Sequence, residues 1–442
     1  MKKIGILLLP VLFMVAVSCK TGNSMPGSDK LDDFFDSISN QYMGSVAISK
    51  GGKTIYTHSS GYSDIEGGIL AGPGSKYMIG SISKTFTAVL VLKAVEEGRL
   101  SLDSKLSDFF PSEGIPNSDD ISLNDLMYHR SGLHDIFEDE NDYNNWYTNP
   151  QSRSDLLARI TAAEPDFAPR SSQQYCNAGY VLLTFILEDI YGQSYAQLLK
   201  KKIARPLGLG NTSISDGIDP SKGECLSYTY RAGWDLEAET DPSIPQGAGA
   251  VMSTSTDLLK FADALFHGKL GDNILQQMKS IDGSFGRGLF PVNLPDKNGI
   301  GHNGGIDGFQ SVMCHFDDGD YTVVLCSNGN NLNQDAILWT VLQAIYGQDY
   351  EIPFFNFTNL PAETLERYVG EYQSPALGMT LHITTDGKVL VAQADGQKPF
   401  CLEADSEDWF ECPKADIGIS FEEGSLFLHQ AGQTFEFWRV IE

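Results

Sequence analysis

Ser81 and Lys84 are the residues whose spacing most directly suggests chemistry, in the run Gly80-Ser81-Ile82-Ser83-Lys84 that opens an apolar helical pattern. Residues three apart share a helical face, so the Lys84 nitrogen reaches the Ser81 hydroxyl while Ser83 points elsewhere. A hydroxyl with an adjacent base is a candidate nucleophile. The free N–H groups and dipole of a helix N-terminus favour an alkoxide or oxyanion forming there. Taken alone, the pattern also describes an N-capping serine beside a solvated lysine, so partner residues must decide.

Two further groups qualify as partners. Tyr175-Cys176-Asn177 precedes a second helical pattern; residues two apart in an extended segment project to one side, so Tyr175 and Asn177 enter one cleft while Cys176 turns away. Each also has a structural reading, Tyr175 as a core aromatic and Asn177 as a helix cap. In His302-Asn303-Gly304-Gly305 the glycines let backbone approach a ligand. His302 there offers a group titrating near neutrality, a donor when neutral and a cation for a substrate carboxylate when protonated.

These groups need elements to hold them. Ile82, Phe86, Val89, Leu90, Leu92 and Val95 recur at helical spacing, with Gly98 as the stop, and Val181, Leu182, Phe185, Ile186 and Ile190 do the same before Gly192. A helix over Leu31–Ile38 leads into strands at 44–49 and 54–58 around Gly51-Gly52. Runs at 287–294, 300–305, 309–316 and 321–326 predict an antiparallel meander, and 336–346 a closing helix. Ser122 with Asp125, and Thr254 with Asp257, have capping spacing. The polar, aromatic stretch 138–150 reads either as a cleft lining or as a solvated loop.

At 442 residues and 41% hydrophobic, the chain has material for two or three domains. Its formal net charge of −27 argues against nucleic acid and anionic lipid surfaces as partners. No cysteine pair has metal-type C-x-x-C spacing; Cys401 and Cys412, flanking a polar turn, are the one pair that looks bridgeable. Met1-Lys2-Lys3 and the apolar run 4–17 form a leader too short to span a bilayer. Ala16-Val17-Ser18-Cys19 resembles the lipobox of bacterial lipoproteins, although Ala16 stands where a large aliphatic is usual. The expected organisation is a signal peptide over 1–18, a lipidated Cys19 with a tether over 19–29, a catalytic body over 30–350, a linker over 351–361 and a β domain over 362–442. The expected location is periplasmic or cell-surface with a lipid anchor in a membrane, plain secretion being the alternative.

S-x-x-K, then Y-x-N, then H-x-G, in this order and at these separations, resembles the serine β-lactamase and penicillin-recognising family, in its class C and D,D-peptidase branch. The stretches at 78–88, 129–133, 205–210 and 301–309 look like signatures of the same family. The resemblance implies an α+β fold, an antiparallel sheet flanked by helices with a helical subdomain. It implies Ser81 as nucleophile, Lys84 and Tyr175 as the base system with the division between them open, and Asn177, His302 and Gly304 as substrate contacts. The backbone N–H groups of Ser81 and Gly305 would form the oxyanion hole. Reaction through an acyl-enzyme needs no metal or organic cofactor, and esters, D-amino-acid peptides and β-lactams all suit it. Pro169-Arg170 before the tyrosine, and the long acidic loop after Leu133, depart from the family pattern.

After residue 361 the chain changes to short strands punctuated by Gly and Asp, and this tail resembles the small lipocalin-like β-barrel appended to some members. The rival reading from another class is a non-catalytic binding lipoprotein on a hydrolase-like body. The joint presence of Ser81, Lys84, Tyr175 and Asn177 argues against it.

Overall fold

The structure, a computed structural model, describes residues 25–137 and 146–440. Cys19, the leader before it and residues 138–145 of the acidic loop lie outside the described residues. At the centre is a six-stranded sheet of β1 (Tyr42–Lys50), β2 (Lys53–Ser60), β3 (Phe290–Leu294), β4 (Lys297–Ile306), β5 (Phe309–Phe316) and β6 (Tyr321–Asn330). The order is β3-β4-β5-β6-β1-β2, every pair antiparallel. The N-terminal hairpin therefore finds its partner in the last strand of the meander, with Val46 opposite Leu325.

Both faces of this sheet are covered, so its strands read as continuous apolar runs. Successive buried residues nonetheless alternate between two cores. Val46, Ile48, Val312, Cys314, Val323 and Leu325 pack with α1 (Ser28–Ser37) and with the closing helix Gln334–Ile345. Ala47, Met313, Val324 and Cys326 join the larger core on the other face.

The centre of that larger core is α2 (Ser83–Glu96), in which every residue from Ser83 to Leu92 is buried. It packs on α3 (Asn177–Tyr191), which Gly192 ends in the left-handed region. The Ser83 hydroxyl accepts from Val251 N at 3.0 Å, tying the start of α2 to a neighbouring strand. Strand β3 begins at Phe290 rather than Arg287 because the preceding residues bend onto α2, where the Thr85 hydroxyl donates to Gly288 O at 2.8 Å. The Ser122–Asp125 capping box forms, and Arg170 donates to the Asp125 carboxylate. No helix among the described residues is long and apolar enough to cross a membrane.

Beyond the linker, eight strands between Gly370 and Arg439 run as a meander that closes on itself, Tyr372 of the first lying opposite Arg439 of the last. Its interior is filled by Tyr372, Leu381, Ile383, Leu390, Phe410 and Phe437 among others. Both oxygens of the buried Glu403 carboxylate accept from Ala232 N, at 3.1 and 3.2 Å, docking the barrel on a two-stranded ribbon of the body (Tyr228–Tyr230 with Trp234–Leu236).

The barrel corrects one expectation. Cys401 and Cys412 are both free thiols. Glu403 lies opposite Glu411 and Ala404 opposite Phe410, a register that sets Cys412 across from Leu402 rather than Cys401. Successive residues of a strand face opposite ways, so Cys412 is buried in the barrel while Cys401 looks outward. Unfolded without reductant, the protein should titrate all of Cys176, Cys225, Cys314, Cys326, Cys401 and Cys412 with a thiol reagent, and prior reduction should add none. A gain of two thiols on reduction would restore the bridge.

Candidate active site

Ser81 sits in a single 3-10 turn, Gly80–Ile82, that runs directly into α2. One turn on, the side chain of Lys84 is 0% exposed. Its nitrogen is 3.0 Å from Ser81 Oγ, 2.7 Å from Asn177 Oδ1 and 2.8 Å from Ala248 O. Burial pulls the Lys84 ammonium down to about 7, against the opposing pull of the Asp135 carboxylate. At neutral pH the amine is therefore available as a base. The geometry fixes its direction too. A neutral amine has two N–H donors and one lone pair, and two of its three neighbours, Asn177 Oδ1 and Ala248 O, can only accept. The lone pair is left for the Ser81 hydroxyl proton.

Asn177 occupies the first turn of α3, behind Cys176 as N-cap. Its amide is held by Asp135, a carboxylate 1% exposed that accepts from Asn177 N at 2.9 Å and from Asn177 Nδ2 at 2.6 Å. This grip turns the Asn177 oxygen toward Lys84. Burial raises the Asp135 carboxyl above its ordinary range, and the two Asn177 donors oppose the rise. Asp135 carries no spacing signal in the sequence, and the Ala248 carbonyl is a backbone group that any residue would supply; neither is legible without the fold.

The Tyr175 ring lies 4.8 Å from the Lys84 nitrogen. Its hydroxyl is buried without a partner at hydrogen-bond geometry, although Ser81 is near enough to oppose the upward push of burial on the phenol. It is thus protonated at neutral pH and free to engage a group entering the cleft. The ring stacks on His129 at 4.5 Å, and His129 Nδ1 accepts from Cys176 N at 3.0 Å. His129 holds a φ of +56°, a conformation of the kind that costs a non-glycine residue about 1 kcal/mol or more. Cys176 is buried, its thiol donates to Leu133 O at 3.4 Å, and burial raises it, so it is no nucleophile.

Strand β4 forms the facing wall. Gly80 has a φ of +50°, and a side-chain carbon there would lie 2.8 Å from Gly305 N; one on Gly304 would collide with Ile79 O. Only glycines allow this backbone contact, which brings the Ser81 turn against Gly304 and Gly305. A cleft of about 410 Å³ opens here, lined by Ser81, Tyr175, Ser284, Phe285, Phe290, Asn303, Gly304 and Gly305. His302 is absent from its lining. It is 2% exposed and packed behind Tyr175 and Phe290, and burial pulls its imidazole down to about 3. The expectation of a histidine titrating near neutrality is therefore corrected. The ring stays neutral, and the next residue of the strand, Asn303, is the one that lines the cleft.

The Lys84 environment sets the pH response. Because only the neutral amine takes the serine proton, kcat/KM should rise as pH increases through about 7. Asp135→Asn removes the negative charge that favours the ammonium, so the acidic limb of the profile should move to lower pH. An unmoved limb would show that Asp135 does not act on Lys84.

The β-lactamase family model matches residues 35–348, most of the chain. Penicillin-binding protein 4* of Bacillus subtilis (strain 168) is 27% identical over 443 residues, covering 90% of this chain and 94% of that protein. Among solved structures, a D-stereospecific amidohydrolase from Streptomyces sp. is 26% identical with a TM-score of 0.62, covering 71% of this chain and 96% of that one. The octameric penicillin-binding protein homologue from Pyrococcus abyssi, 21% identical with a TM-score of 0.64, shares the fold over 93% of this chain and 98% of its own. The chain belongs to the β-lactamase family of serine hydrolases.

Proposed function

We propose that this chain hydrolyses amide or peptide bonds of D-configured substrates through an acyl-enzyme on Ser81. The observation that carries the reading is the buried Lys84 amine, whose one spare lone pair faces the Ser81 hydroxyl. The likeness to a D-stereospecific amidohydrolase and to a penicillin-binding protein supports the bond type. Ester and β-lactam carbonyls fit the same machinery.

In the forward step Ser81 Oγ attacks the carbonyl carbon while its proton passes to Lys84 Nζ. The carbonyl oxygen becomes an oxyanion facing the N–H groups of Ser81 and Gly305. As the intermediate collapses, the C–N bond breaks and the leaving nitrogen takes a proton from the Tyr175 hydroxyl, which Lys84 replenishes. Water then attacks the acyl carbon, gives its proton back through Lys84, and releases Ser81. An extended acyl chain has a place to lie. The pairing of β3 with β4 ends at Phe290 opposite Gly301, whereas β4 runs on to Ile306, so among the described residues its edge beside Ser81 is unpaired.

Ser81→Ala should abolish labelling by a fluorophosphonate probe, followed by intact mass; undiminished labelling would move the nucleophile elsewhere. Lys84→Ala and Tyr175→Phe should each lower kcat by orders of magnitude, with the double variant little worse than either, since groups acting as a unit are not additive. Losses that add would show independent roles.

The leader and Cys19 support export with a lipid anchor, to the periplasm or cell surface. Wild-type protein should partition with membranes, and Cys19→Ala should become soluble. A Cys19→Ala protein that stays membrane-bound would place the anchor elsewhere.

A further inference from the structure

We infer that the cleft selects substrates that are uncharged on both sides of the reacting bond and bear an aromatic or large apolar side chain, and that it rejects peptides ending in a free carboxylate next to that bond. This rests on the acyl-enzyme reading above and names the substrate class of the same site.

The evidence is the distribution of charge around Ser81. None of the eight residues lining the cleft is a cation. Lys84 is beneath the floor, 0% exposed, with all three directions about its nitrogen already taken by Ser81, Asn177 and Ala248. His302, the residue that would supply a cation from β4, is buried behind Tyr175. The arginines of the surrounding loops are engaged elsewhere. Arg130 pairs with Asp282, and Arg287 donates to Asn124 Oδ1 and Gln277 O while covering the Tyr128 ring. The neighbouring cavity that shares Asn303 holds the barrel's Lys414, but with Asp335 in the same lining. A carboxylate brought beside the scissile bond would lose water and gain no counter-ion, the costly case for a buried charge.

What the cleft offers instead is an aromatic wall. Phe285 and Phe290 meet edge to face at 6.5 Å, and Phe285 also contacts Tyr175 at 5.9 Å. The neutral side chains of Ser284 and Asn303 flank it.

The test compares N-acetyl-D-phenylalanyl-D-alanine with its C-terminal amide, scoring both turnover and protection of Ser81 from a fluorophosphonate probe. The amide should be favoured on the order of 100-fold in kcat/KM, the scale of leaving one charge unpaired. Replacing D-phenylalanine by D-alanine in the acyl part should lower kcat/KM, and Phe290→Ala should narrow that difference. Asn303→Lys should raise turnover of the carboxylate-ended peptide at least 10-fold. Equal or better use of the carboxylate-ended peptide overturns the inference. So does a preference that disappears at 0.5 M salt, which would assign it to screened long-range repulsion by the net charge rather than to the cleft. If neither peptide is cleaved or protective while Ser81 still labels, the substrate class fails and the hydrolase reading stands. Absence of labelling removes both.

Discussion

The site depends on keeping an amine out of water. A lysine buried without a carboxylate touching it is costly to ionise, and that cost is what brings Lys84 down to about 7. Each surrounding element serves this arrangement. Helix α2 is buried all round from Ser83 to Leu92, which keeps the lysine nitrogen out of water; the short helical turn Gln246–Gly249 offers a carbonyl rather than a charge; α3 presents an amide. Asp135 stands one residue further back, near enough to bias the amine and far enough not to pair with it. A direct ion pair would have held the nitrogen protonated and useless as a base.

Much of this was legible in the sequence because it rests on periodicity. A spacing of three on a helix puts Lys84 at Ser81, and a spacing of two in an extended segment sends Tyr175 and Asn177 to one side with Cys176 away. The meander and the N-terminal hairpin were each readable from apolar runs between glycine and aspartate turns, whereas their pairing with one another shows only in the fold. His302 was not, for a physical reason: where helices cover both faces of a sheet, a strand shows no polar alternation to say which residues face the cleft. The cysteine pair failed similarly, since pairing across a hairpin depends on strand parity, which a one-residue change in register reverses. Asp135 and the Ala248 carbonyl act by position alone.

The barrel is more than an appended weight. Glu403 holds Ala232 at the tip of a ribbon whose root, at Ser227 and Tyr228, lies against the β4–β5 turn. The Asp307 carboxylate of that turn accepts from Thr240 N and Oγ1. Gly305 is two residues away, so the backbone facing Ser81 and the seat of the barrel are parts of one hydrogen-bonded structure.

The pairing of β1 with β6 also governs how the body comes together. Tyr42 reaches Cys326 across 284 residues of chain, so the sheet cannot close until almost all of the body is present. Contacts of such sequence separation carry a large loop-closure cost before any reward, which makes folding slow. Until β6 arrives, β1 is an apolar strand with an open edge, the kind of segment that associates with other chains. A chain truncated before Tyr321 would carry that open edge permanently, and quality control rather than catalysis would decide its fate.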